Sequence, residues 1–120
     1  MAPSDFQFTL RVSDETRFDR MLSDVAATIL RHVGYAADTA DGLVQLVHGV
    51  IEQGLGGGAR QCEVRFRAGN GELQIAVASD APRPISDAAV RALPSAGLAD
   101  RIACAPEDGR QVCRLSRRLP

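Results

Sequence analysis

Aromatic side chains are scarce in this sequence. There are four phenylalanines, one tyrosine and no tryptophan, 4% of the chain in all. A hydrophobic core must therefore be built mostly from Leu, Val, Ile and Ala. Long apolar runs are absent as well: nothing approaches the ~18 residues of a membrane-spanning helix. Charge of one sign is not in excess, and a formal net charge of −1 gives no overall pull toward nucleic acid or an anionic membrane. The three cysteines lack the paired spacing of a zinc site and are expected as buried thiols. The first residues, MAPSDFQ, have neither the basic start nor the apolar core of a signal peptide. The expectation is a cytoplasmic protein with no nucleic-acid or membrane partner.

What is present is ordinary globular composition, 45% hydrophobic and 24% charged over 120 residues, enough for one domain spanning 1–120 with one core. Phe6, Phe8, Leu10 and Val12 alternate with Gln7, Thr9 and Arg11, the pattern of a half-buried strand. Ser13 is placed to cap a helix running to Val33, with Phe18, Met21, Leu22, Val25, Ile29 and Val33 as its apolar stripe. Gly34 ends it. A second helix is expected from Asp38 to Leu55, with Asp38 as N-cap, Leu43, Val44, Val47, Val50, Ile51 and Leu55 at helical spacing, and Gly56 as C-cap.

A hairpin follows. Cys62, Val64 and Phe66 alternate with charged residues, as do Leu73, Ile75 and Val77 with polar or small ones. Asn70-Gly71 between them signals a type I′ turn, which sets Phe66 opposite Ile75 and Val64 opposite Val77. Two prolines in Ser79–Pro84 end the regular structure. Ser86 can cap a short helix to Leu93, stopped by Pro94. A second hairpin around Asp108-Gly109 sets Cys104 opposite Cys113 and Ile102 opposite Leu115. The last strand is locally basic, with Arg110, Arg114, Arg117 and Arg118, consistent with a solvated face.

The order of strand, two helices, hairpin, short helix and hairpin resembles the Bergerat-fold ATPases of the GHKL superfamily, the histidine kinase-like ATPases, and among them the bacterial anti-sigma-factor serine kinases. FQFTLRV is similar to that family's first strand, GYAADTADGLVQLVHGVIEQGL to its second helix, CEVRFRAGNGELQIAVAS to its central hairpin and RIACAPEDGRQVCRLSRRL to its last two strands. The resemblance implies an α+β fold: a two-layer sandwich with a mainly antiparallel mixed sheet, two main helices and one short helix on one face, in a reduced form without an ATP lid.

The family's motifs are altered here. Where its central helix carries a catalytic Glu and, four residues on, a magnesium-binding Asn, this chain has Gly49 and Gln53. Shifted by one, His48 and Glu52 make a pair on one helix face. The Asp-x-Gly motif that reads adenine corresponds to Ser79, Asp80 and Ala81, with Asp80 one position late. The phosphate-binding end of the lid is reduced to Ala96-Gly97-Leu98. Gly56 to Gly58 lie at a helix C-terminus, where the dipole repels anions.

The leading expectation is a domain without catalytic residues, cofactor or metal, which acts by binding a protein. The resemblance suggests a sigma factor, an anti-sigma antagonist or a two-component protein as partner, contacted through Arg17, Arg20, Asp24 and Arg31 on the outer face of the first helix. One alternative is a working serine kinase holding magnesium-ATP through Gln53 and Asp80. Another is a structural subunit that forms a homodimer.

Overall fold

The alternating residues Cys62, Val64, Phe66 and Ala68 are buried on a strand, β2 (Gln61–Gly69), and Leu73, Ile75, Val77 and Ser79 on the next, β3 (Glu72–Ser79). A computed structural model describes residues 6–13 and 20–120. Asn70 and Gly71 have φ of 55° and 77°, the paired left-handed conformation of a type I′ turn. The register is the one that turn dictates, with Phe66 opposite Ile75 and Val64 opposite Val77.

The remaining elements are β1 (Phe6–Ser13), α1 (Arg20–Val33), α2 (Ala37–Gly56), α3 (Asp87–Arg91), β4 (Arg101–Glu107) and β5 (Arg110–Arg118), with a 3-10 turn at Ala96–Leu98. The sheet order is β1-β2-β3-β5-β4, and every neighbouring pair is antiparallel. Because β5 lies between β3 and β4, the chain leaving β3 must cross to the far edge, and α3 with the 3-10 turn makes that crossing. Asp108 and Gly109 turn the second hairpin at φ of 51° and 78°, setting Cys104 opposite Cys113 and Ile102 opposite Leu115. Both cysteines are free thiols.

The helices pack on one face. α2 lies on β2 and β3, and α1 lies against α2. Leu43, Leu46, Val47, Val50 and Ile51 of α2 meet Val64, Phe66, Ile75, Val77 and Leu115 of the sheet in one core, with Phe8 and Leu10 half-buried at its margin. This is the α+β two-layer arrangement the sequence implies, in a sheet that is antiparallel throughout.

Ser13 is the last residue of β1 and pairs with Gln61, and the helical turn it is expected to cap lies outside the described residues. Three local expectations are corrected. α2 starts one residue before Asp38, with Ala36 as an N-cap that makes no side-chain bond, and Asp38 sits in the first turn. It also runs through Gly56, and Gly57 is the C-cap. The buried stripe of α1 is not the one containing Val25 and Ile29. Ala26, Ala27 and Leu30 face the core, Ile29 is half-buried and Val25 is 38% exposed. Small side chains let α1 approach α2 closely, so the alanine face wins over the larger β-branched residues beside it. Phe18, also expected in that stripe, lies outside the described residues.

Candidate functional site

Gly42 and Gly49 stand two turns apart on one face of α2, and Gln53 follows a turn later. The crossing segment from α3 to the 3-10 turn lies along this face. A Cβ built on Gly49 would come within 2.9 Å of Leu93 Cδ1, and one on Gly42 within 2.4 Å of Leu98 Cδ1. The two leucines therefore fill the volume that side chains at 42 and 49 would need. Gln53 closes the same seam, its Nε2 donating to the carbonyl of Ala89 at 3.1 Å.

The segment is held from its other side too. Ser86 caps α3 by accepting from the Ala89 N–H at 3.0 Å, as its sequence position suggests. Asp87 Oδ1 accepts from the Cys104 N–H at 2.7 Å, and Arg91 donates to the Ile102 carbonyl at 2.9 Å. Cys104 and Ile102 belong to the edge strand β4, so these bonds also satisfy backbone groups that an edge would leave unpaired. Arg117 points to the helix side of the sheet. It donates to the Leu98 carbonyl at 2.6 Å and lies over the Tyr35 ring at 5.7 Å from its centroid.

Asp80 lies beyond the end of β3. Its Oδ1 accepts from the backbone N–H groups of Arg60 at 2.8 Å and Gln61 at 3.2 Å. The Gln61 bond, with that of Arg60, holds the carboxyl below its ordinary 3.8 despite some opposing desolvation. The carboxylate thus ties the loop after α2 to the exit of β3. Beside it, Gly54 allows α2 to touch the sheet: a Cβ there would lie 3.2 Å from both Cys62 Sγ and Ser79 Cβ. The Ser79 hydroxyl is fully buried and has no hydrogen-bond partner.

The other residues singled out in the sequence fall as follows. His48 Nε2 lies 3.4 Å from Glu52 Oε1 on the exposed side of α2, with both side chains about half exposed. Arg17 lies outside the described residues. Arg20 is the first residue of α1, and Asp24 and Arg31 are exposed on it. Thr28 links these two, its Oγ1 donating to the Asp24 carbonyl at 2.8 Å and accepting from Arg31 at 3.3 Å. Val25 sits next to Asp24 and is the exposed large hydrophobic among the described residues. Sequence reasoning missed this by assigning Val25 to the core. The signal was there in Ala26, Ala27 and Leu30, a second apolar stripe offset by about one residue. Among the described residues no three His, Cys, Asp or Glu side chains cluster as metal ligands, and no helix is long and apolar enough to cross a membrane.

No protein-family model matches this sequence, and no curated protein does. Among solved structures, the chain is similar to the crystal structure of the RsbU and RsbW domains of Rv1364c from Mycobacterium tuberculosis, with a TM-score of 0.60 over 95% of this chain at 13% identity. It spans 32% of that chain's length. At such identity the likeness is one of fold, and fold alone does not carry function.

Proposed function

We propose that this chain is a degenerate relative of the GHKL anti-sigma-factor kinases that acts as a protein-binding regulatory module rather than as an enzyme. The observation that carries the reading is the closed seam between α2 and the crossing segment, where Leu93 and Leu98 pack onto Gly49 and Gly42. A magnesium-ATP site needs a metal ligand and an anion cradle together in an open cleft, since the phosphate charges must be compensated there. The residues at the corresponding places do not fit that group. Gln53 is engaged with Ala89, Asp80 with two backbone amides, and the position of the catalytic Glu is a glycine under a leucine.

What supports a protein partner is the outer face of α1. Val25 is exposed there next to the exposed Asp24, an apolar side chain beside a charged one, a combination that interaction surfaces use. By the resemblance of fold, the partner class is a sigma factor, an anti-sigma antagonist or a two-component protein.

The test joins calorimetry with a binding assay. A ligand at a hundred times its dissociation constant stabilises a fold by about 2.7 kcal/mol, several degrees in a domain of this size. Magnesium-ATP is expected to leave the melting temperature unchanged. A sigma factor or antagonist encoded beside this chain is expected to bind it, and to bind Val25→Asp at least tenfold more weakly. A clear shift with magnesium-ATP that Gln53→Ala abolishes would overturn this reading in favour of a working kinase.

A further inference from the structure

The face of the sheet turned away from the helices has a different character. Residues paired across the strands share a face, so Arg67, Gln74, Ser116 and Arg101 form one row across β2, β3, β5 and β4, and Arg65, Ala76, Arg114 and Ala103 form the next. Two shallow concavities of about 270 and 340 Å³ share Arg65, Ala76 and Arg114, and so make one trough. Small residues make much of its floor: Ala76, Ala78 and Ala103. Arginine makes its walls. The chain has no lysine, and its 14 basic residues are all arginine.

The charges are not equally free. Arg65 lies 3.3 Å from Glu63, which also lies 3.5 Å from Arg11. Arg114 holds Glu107 with bonds of 2.8 Å to each carboxylate oxygen. Arg67 and Arg101, at opposite ends of the first row, pair with no carboxylate of the described residues. Their strands are three steps apart, which places them roughly 14 Å from each other at the usual strand spacing.

We infer that this open face is a docking trough for an acidic segment of a partner protein, whose carboxylates pair with Arg67 and Arg101 while its small side chains sit over the alanine floor. The charge pattern is what selects this occupant. Guanidinium groups form paired bonds with carboxylates, and a cationic face on a chain of net charge −1 steers an acidic partner to this surface. Nucleic acid fits worse. Glu63, Glu72 and Glu107 are interleaved with the arginines and repel a continuous phosphate backbone, and the two central rows carry no aromatic ring on which bases could stack. The trough lies on the opposite side of the sheet from α1, so it is a second surface. It rests on the reading that the domain works by binding protein.

The probe is a fluorescently labelled oligoglutamate peptide, followed by anisotropy at low and at physiological salt, with oligothymidylate of equal charge in parallel. The unmodified chain is expected to bind oligoglutamate in a salt-sensitive manner and more tightly than oligothymidylate. Arg67→Glu/Arg101→Glu should lose at least tenfold while keeping its melting temperature within about 2 °C, as befits exposed sites. Val25→Asp should bind oligoglutamate as the unmodified chain does, which separates failure of the trough from failure of the α1 contact. Absence of salt-sensitive binding, unchanged binding by the double variant, loss of binding by Val25→Asp or tighter binding of oligothymidylate would each overturn the proposal.

Discussion

Ser79 shows how much a single position can cost. A buried hydroxyl without a partner forfeits its bonds to water, a penalty of about 1–3 kcal/mol. The Ser79 hydroxyl is in that condition, wedged near Gly54 and Cys62 where α2 meets the sheet. Removing one oxygen leaves only a small void, so Ser79→Ala is expected to raise stability by about 0.5–1 kcal/mol, measured as a higher urea midpoint with an unchanged slope. A lower midpoint would mean that the hydroxyl has a bond in solution. Its neighbour Asp80 is the opposite case, a carboxylate whose oxygen is used twice by backbone amides.

Among the elements, the β2–β3 hairpin is the one whose turn, register and burial all agree. Asn70 and Gly71 both hold positive φ, and a slip of one residue would turn Val64, Phe66, Ile75 and Val77 out of the core. Nothing lies within 4 Å of a Cβ built on Gly71, so a side chain there meets no steric obstacle and only backbone strain remains. Gly71→Val should therefore cost about 1–3 kcal/mol, while Gly71→Asn, which tolerates that conformation, should cost much less. Chemical denaturation of the two variants checks this, and equal losses would argue against strain as the cause. The crossing segment is the contrasting element. α3 has five residues and little intrinsic stability of its own, so it depends on Gln53, Asp87, Arg91 and Arg117 and on the two leucines seated over glycine.

At the scale of the whole molecule, the burial of ionisable groups ties stability to pH. Burial pushes the Cys62 thiol up to about 11 from its ordinary 9.0. Burial also raises Cys104, Cys113 and the Tyr35 phenol, whose hydroxyl donates to the Arg118 carbonyl at 2.8 Å. These groups keep their protons in the folded chain where the unfolded chain has lost them. Their contribution is complete below about pH 9 and declines as pH rises from there through the folded values. The urea midpoint should fall steadily between pH 8.5 and pH 10.5, and fall less in Cys62→Ala relative to its own value at pH 8. An unchanged midpoint across that range would contradict the burial of these thiols. Asp80 acts at the other end, where its depressed carboxyl supports the fold above about pH 3.8 and ceases to as pH falls through its folded value.

The sequence by itself determined the strands, both hairpin registers, the second helix and the order of elements that the fold shares with the solved structure it is similar to. These rest on periodicity and turn chemistry, which act between residues close in the chain. Tertiary structure alone decided three other things. It chose the alanine face of α1 over the face with Val25, because helix packing rewards close approach as well as side-chain size. It gave Asp80 and Gln53 backbone partners from other segments, which no local pattern could assign. It also gave Gly42 and Gly49 their meaning. A glycine leaves no periodic signal, and its role is set by whatever moves into the space it leaves, here Leu98 and Leu93 from a segment more than forty residues further along the chain.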